Sequence, residues 1–253
     1  MPGGYVALLD VLGFSALVAA DSTGQSVKRY LNCLQRVRGE TEVNYVVFSD
    51  GIMLTLGDEG PDSLITIAGA CSRLMGELLA EDIPIRGAIS QGEFVRSAVR
   101  DSVFVAGRAV IDAYQFEQAQ DWIGIMVAPS ALARVRDLKE RCRLEGCTTM
   151  QAFRAIEPNL EWAPFIQPCA IPFHTENPFQ SSSFDGFGVV PTSGVAEPVA
   201  LRDSIEAAID RLNWLRAIAP TPASQRKYQN TTQRLGTVHR LWSDVVFFRE
   251  QAG

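Results

Sequence analysis

The sequence predicts an α+β fold, with helices packed on a mainly antiparallel sheet and a helical C-terminal extension. Three observations carry this. Asp50-Gly51 separates two β-rich runs, Tyr45 to Phe48 and Ile52 to Leu56, and an Asp-Gly pair in that setting is the strongest short-range hairpin signal. The elements run strand, helices, hairpin, helix, strand, helix, strand, then further strands and helices, the order of an α+β sandwich. With 253 residues, 47% hydrophobic and 21% charged, the chain has ordinary globular composition and room for one large domain or one domain with an extension.

Tyr5 to Asp10 reads as a buried strand ending in a carboxylate. Leu12-Gly13-Phe14-Ser15 leads into a short apolar helix, Ala16 to Ala20, and Ser26 to Val37 has helical spacing through Val27, Tyr30, Leu31 and Leu34. The hairpin spans Asn44 to Leu56. Asp62 to Ala80 is a long amphipathic helix, with Asp62 placed to cap its start. Pro84 to Ser90 is a strand that Gln91-Gly92-Glu93 breaks and Phe94-Val95 resumes, and Val103 to Val105 is a short apolar piece. Arg108 to Gln120 is helical, Trp122 to Ala128 is a buried strand, and Pro129 opens a helix to about Lys139. Ile166 to His174 and Phe184 to Val190 read as two more strands; Glu197 to Ile218 and Pro222 to Phe248 read as helices without a coiled-coil heptad. The expected division is a domain over residues 1–195 and a helical extension over 196–253 packed on it.

The net charge is 23 − 29 = −6, which argues against a broad nucleic-acid face, because phosphate neutralisation needs a local excess of Lys and Arg. No apolar run approaches the ~18–20 residues of a membrane span, and the first ten residues lack a basic stretch before an aspartate. The expectation is a cytoplasmic protein, without membrane or nucleic-acid partners, whose five cysteines are reduced. The cysteines and the two histidines, His174 and His239, lack zinc-site spacing.

Two aspartates stand out. Asp10 closes an apolar strand just before Gly13, and Asp50 sits at the hairpin tip. On neighbouring strands about 4.8 Å apart, two such carboxylates repel unless a cation lies between them, and hard oxygens suit octahedral Mg²⁺. Gly13 lets the Leu12 to Phe14 amides turn toward phosphate. The alternative for each residue is local: Asp10 as a helix cap, Asp50 as a turn former.

The arrangement resembles the class III nucleotidyl cyclase catalytic domain. The matching pieces are Leu9-Asp10-Val11-Leu12-Gly13-Phe14-Ser15, then Phe48-Ser49-Asp50-Gly51. After them come Arg86-Gly87 through Gly92-Glu93, and Val103 to Gly107 followed by the helix from Arg108. Together they span roughly Tyr5 to Leu138. The resemblance implies two Mg²⁺ or Mn²⁺ ions held by Asp10, Asp50 and the Val11 carbonyl, with terminal phosphates on Leu12, Gly13 and Phe14. It also implies attack of the ribose 3′-hydroxyl on the α-phosphate, release of pyrophosphate, and a homodimer whose sites lie between two chains.

The departures concern the base and the transition state. Val46, and Phe104 or Val105, fall where purine-specific members carry a Lys and an Asp or Thr; Ile111 and Gln115 fall where members carry the transition-state Asn and Arg. Intact aspartates, lost purine readers and a helical tail containing Gln225 to Thr231 are similar to the Pycsar pyrimidine cyclases. These bacterial antiphage proteins make cyclic UMP or cyclic CMP from UTP or CTP, and a separate effector receives the product. Gln115 is placed to hydrogen-bond phosphate where members carry Arg, and Arg108, opening its helix beside the site, replaces a missing cation or lies on a solvated helix face. These two complete the expected catalytic set, Lys227 is the expected phosphate ligand, and Val46, Phe48 and Tyr45 are expected to line the base site, with Asn44 in reach. Arg226, Lys227 and Arg234 form a basic cluster or a solvated helix face. Arg86 pairs with phosphate, fixes Glu93, or snorkels to water. The expected activity is UTP to cyclic UMP, with CTP to cyclic CMP or a non-catalytic nucleotide-sensing module as alternatives.

Overall fold

Tyr5, Ala7, Leu9 and Val11 alternate along the central strand β1 (Gly3–Val11) and are buried on one of its faces. A computed structural model of the chain describes residues 3–39, 41–131, 166–168, 187–189 and 198–252. Among these, β1 lies between β3 (Gly51–Leu56) and β4 (Ile85–Val99), both antiparallel to it, with β2 (Asn44–Phe48) outside β3. On the other side β6 (Ile125–Val127) runs parallel to β4, then β8 (Phe187–Val189) and β7 (Ile166–Pro168) follow antiparallel. The strand order is β2-β3-β1-β4-β6-β8-β7, and β5 (Ser102–Gly107) folds back on the far half of β4.

Alternation gives the sheet two faces. The face bearing Tyr5, Ala7, Leu9, Ile52 and Leu54 packs on α2 (Gln25–Arg38) and α3 (Pro61–Ala80). α2 contributes Tyr30, Cys33, Leu34 and Val37; α3 contributes Leu64, Ile67, Cys71, Leu74 and Leu78, the spacing of an apolar helical stripe. α3 has the length and apolarity of a membrane span, but it is mostly buried, which makes it the core helix. α1 (Phe14–Ala20) lies beside α2, with the Phe14 and Tyr30 rings 5.3 Å apart. The opposite face carries Val6, Leu8 and Met53. There α4 (Arg108–Gln118) covers β1 and β4 through Ala109, Ala113 and Phe116.

Several expectations change in detail. Gly60, not Asp62, is the N-cap of α3; Asp62 lies in the first turn after Pro61, while Asp58 accepts from the Gly60 amide and the Ser63 hydroxyl. β4 runs unbroken through Gln91-Gly92-Glu93 because β1 pairs with it up to Gly3↔Glu93 and β5 takes over from Phe94↔Gly107. The strand expected from Trp122 begins only at Ile125. Gly124 has φ +146, and a Cβ there would sit 2.1 Å from the Trp122 ring, so the chain bends before pairing. A helical turn opens at Pro129; its continuation, the domain boundary near 195, and Cys142, Cys147, Cys169 and His174 lie outside the described residues.

The C-terminal helices α5 (Pro198–Ile218) and α6 (Pro222–Ala252) form a hairpin. Ile205, Leu212, Leu235 and Val238 pack with Leu79 and Ile123 from the sheet domain. Polar contacts fix the docking. The Thr231 hydroxyl accepts the Ile123 N–H at 2.8 Å, the Asn230 amide donates to the Asp121 carbonyl at 2.8 Å, and buried Arg234 stacks 4.4 Å over Trp122. Thr231→Val keeps the shape but leaves a buried N–H unpaired, and should cost about 1–3 kcal/mol in urea unfolding. An unchanged midpoint would show that the Thr231 hydroxyl does not help to hold α6 on the sheet domain.

Candidate active site

The register places Phe48, Gly51, Asp10 and Arg86 in one row across four strands, β2 to β4, on the α4 face of the sheet. Asp10 ends its strand because β1 finishes one residue later. The next backbone amides turn away, Val11 N–H donating to the Asp50 carbonyl at 3.1 Å and Leu12 N–H to the Pro84 carbonyl at 2.9 Å. Asp50 occupies the two-residue hairpin tip with Ser49, whose φ of 57° makes the turn tight. Asp10 and Asp50 are thereby brought to one end of the sheet, close enough that Asp50 raises the Asp10 pKa.

Arg86 stands between two carboxylates. Its Nε is 2.7 Å from Glu117 Oε1 and 3.4 Å from Asp10 Oδ2. Glu93, offered as its partner from the sequence, lies far along β4, opposite Gly3. Glu117 projects from the buried face of α4 and is 2% exposed. Burial pushes Glu117 up, and Arg86 pulls it back. Burial likewise pushes Asp10 up; Arg86 opposes this and Asp50 reinforces it. Lys227 of α6 reaches the same cluster: burial and then Arg86 lower its pKa, while Asp121, Glu117 and Asp10 raise it.

The three basic residues of the tail therefore separate. Lys227 faces the cluster, Arg226 pairs with Asp121 at 3.0 Å, and Arg234 is buried on Trp122. Gly13 caps α1 at φ +75, and no side chain caps the first turn of that helix. The Leu12 amide is already spent on Pro84, so of the expected phosphate amides only those of Gly13 and Phe14 remain available. A cavity of about 480 Å³ borders Leu12, Gly13 and Lys227 beneath the α5–α6 turn.

Val46 lies opposite Met53, on the same face as Asp10, where α4 does not cover the sheet; Phe48 next to the hairpin tip is 85% exposed. Asn44 shares that face. Tyr45 does not. It lies opposite Leu54, packs on the α2–α3 core and meets the Thr41 hydroxyl at 3.3 Å, because neighbouring strand residues point to opposite faces. Arg108 is exposed and ion-paired with Asp112 at 2.6 Å within α4. Gln115 is half-buried, with Oε1 buried and unpartnered. Sequence reasoning missed Glu117. The signal was present: it falls four residues after Ala113 on the apolar stripe of α4, where an acid needs a partner.

Tyr30 donates from its hydroxyl to the Ser49 carbonyl at 3.2 Å, tying α2 to the hairpin tip. Burial, then Asp50, pushes its pKa up to about 12, and burial pushes Tyr45 up to about 12 as well, from an ordinary 10.0. Each phenol is neutral in the fold, and its folded pKa exceeds its unfolded one. Their stabilisation is thus complete below pH 10 and is lost as pH rises through 12. Urea midpoints measured across that interval should fall, and the fall should shrink in Tyr45→Phe.

Asp10, Asp50 and the Val11 carbonyl are hard oxygen donors, and two carboxylates at one end of the sheet fit a divalent cation of the Mg²⁺ or Mn²⁺ type. Among the described residues no third acidic, His or Cys side chain joins them, so water or substrate oxygens would complete the coordination.

The fold is that of class III nucleotidyl cyclase catalytic domains. The adenylyl cyclase CyaB from P. aeruginosa superposes with a TM-score of 0.50 at 13% identity, covering 75% of this chain and 94% of that one. The guanylyl cyclase domain of the RhoGC fusion protein from Blastocladiella emersonii matches with a TM-score of 0.46 at 15% identity, over 54% of this chain and 85% of that one. No family model matches the sequence, and no curated protein matches it.

Proposed function

We propose that the protein is a divalent-metal-dependent nucleotide cyclase with a pyrimidine substrate, UTP before CTP. The observation that carries this is the convergence of Asp10 and Asp50 at the end of the sheet face that also bears Val46, which we read as the base-facing position. Bound Mg²⁺ or Mn²⁺ would supply charge neutralisation for the attacking and leaving oxygens. Asp10, Asp50 and the Val11 carbonyl hold the metal. The Gly13 and Phe14 amides and Lys227 receive the terminal phosphates, and Arg108 and Gln115 serve the catalytic set. The 3′-oxygen forms its bond to the α-phosphorus as the bond to the β-phosphate oxygen breaks, giving the 3′,5′-cyclic nucleotide and pyrophosphate.

Val46 cannot hydrogen-bond a purine edge, and an unpaired buried polar edge costs about 1–3 kcal/mol. Phe48 and Asn44 stay in the base site; Tyr45 supports it from behind the sheet. The working form is a homodimer, supported by the exposed apolar side chains Phe48, Phe104, Ile111 and Tyr114. The product serves a separate effector in antiphage defence, in the cytoplasm, with neither nucleic acid nor membrane as a partner.

A non-catalytic nucleotide sensor is the second reading, favoured by apolar Ile111 and neutral Gln115 in place of the transition-state groups. Incubation with an equimolar mixture of four NTPs and Mn²⁺ separates the possibilities. Cyclic UMP is the expected main product. Cyclic CMP overturns only the uridine preference, cyclic AMP or cyclic GMP overturns the pocket reading, and no product favours the sensor.

A further inference from the structure

We propose that Glu117 is a positioning residue, the buried anion whose charge holds the Arg86 guanidinium off Asp10 when a divalent cation binds there. The inference rests on the metal reading of Asp10 and Asp50. Arg86 cannot retreat to water: its backbone is fixed between β1 and β6, and its side chain is 13% exposed. A guanidinium and a metal ion compete for the same carboxylate, so Asp10 can serve a metal only if Arg86 has another anion to hold.

Glu117 is that anion. It is already the nearer of the two partners, at 2.7 Å against 3.4 Å. Its other oxygen accepts the Gln118 amide at 2.7 Å, which keeps the carboxylate oriented. A 2%-exposed glutamate on the apolar stripe of α4 has no packing role that an apolar residue would not fill better. Lys227, entering the cluster from α6, repels Arg86 and adds to the need for a fixed acceptor.

The test is Mn²⁺ binding to the 253-residue chain, counted by loss of the free-ion EPR signal without nucleotide, with thermal melting to show that each variant is folded. Glu117→Gln keeps the shape and removes the charge. Arg86 then settles on Asp10, and the Mn²⁺ dissociation constant should rise about 10-fold, the scale found when a group supporting a metal ligand is lost. Arg86→Gln should bind Mn²⁺ at least as tightly as the wild type, and adding Glu117→Gln to it should change little. A purely structural Glu117 would lower the melting temperature in both backgrounds without this dependence on Arg86. Unchanged Mn²⁺ affinity in folded Glu117→Gln overturns the proposal. So does weakened binding in Arg86→Gln, or a Glu117→Gln loss that persists in the Arg86→Gln background. Wild-type protein that binds no Mn²⁺ overturns the metal reading itself, and the Glu117 proposal with it.

Discussion

Asp50→Ala should lower cyclic nucleotide formation by about a thousandfold or more at saturating Mn²⁺. The proposed metal site has two carboxylates, and removing one leaves too few hard oxygens to hold a cation in place. Loss of a single preorganised charge-stabilising group already costs about 10²–10³ in rate, and here the cation goes with it. Asp50 is the cleaner of the two positions. Its backbone carbonyl, which accepts from Val11, survives the change, and the residue of the turn with positive φ is Ser49. Asp10→Ala should be as inactive, yet it also removes one of the two anions around Arg86, so its unfolding midpoint must be read beside its rate. The product is quantified by mass spectrometry after incubation with UTP. Near-wild-type turnover in Asp50→Ala would sink the two-carboxylate mechanism, whichever nucleotide is the substrate.

Phe104→Asp should convert the proposed homodimer into monomers and abolish most activity with it. Phe104 is 62% exposed on β5, and Ile111 and Tyr114, three residues apart on one face of α4, are 52% and 54% exposed. Large apolar side chains gathered on one surface are costly in water and mark a partner surface. Truncating or charging a central aromatic anchor typically costs 2–4 kcal/mol, so the dimer dissociation constant should rise about a hundredfold or more. The β5 hairpin stands off the main sheet and Phe104 contributes nothing to the buried clusters, so the fold should persist. Light scattering gives the assembly state, and specific activity against protein concentration shows whether the site needs two chains. A monomer of undiminished activity would show that one chain closes its own site.

The features legible in the sequence are those set by local pattern. A short apolar run ending in a carboxylate marked β1, the Asp-Gly pair marked the β2–β3 hairpin, and 3.6-residue spacing marked α2 and α3. Alternation also put Val46 and Phe48 on the Asp10 face. The same rule excludes Tyr45, whose neighbours in sequence face the other way. Boundaries failed where a distant partner decides them: β4 continues past Gly92 because β5 takes over its pairing, and β6 starts late because the Trp122 ring occupies the space beside Gly124.

The site shows the same division more sharply. Asp10 and Asp50 were readable because each ends a local element, a strand or a turn. What surrounds them was not readable, because it is assembled from residues far apart in the chain. The Asp10↔Arg86 register, the approach of Glu117 from α4, the loss of the Leu12 amide to Pro84 and the delivery of Lys227 by α6 all depend on strand order and helix docking. Arg226, Lys227 and Arg234 are a single basic run to a reader of the sequence. In the folded chain α6 turns one to Asp121, one to the carboxylates and one onto Trp122, because a docked helix presents successive residues to different surroundings.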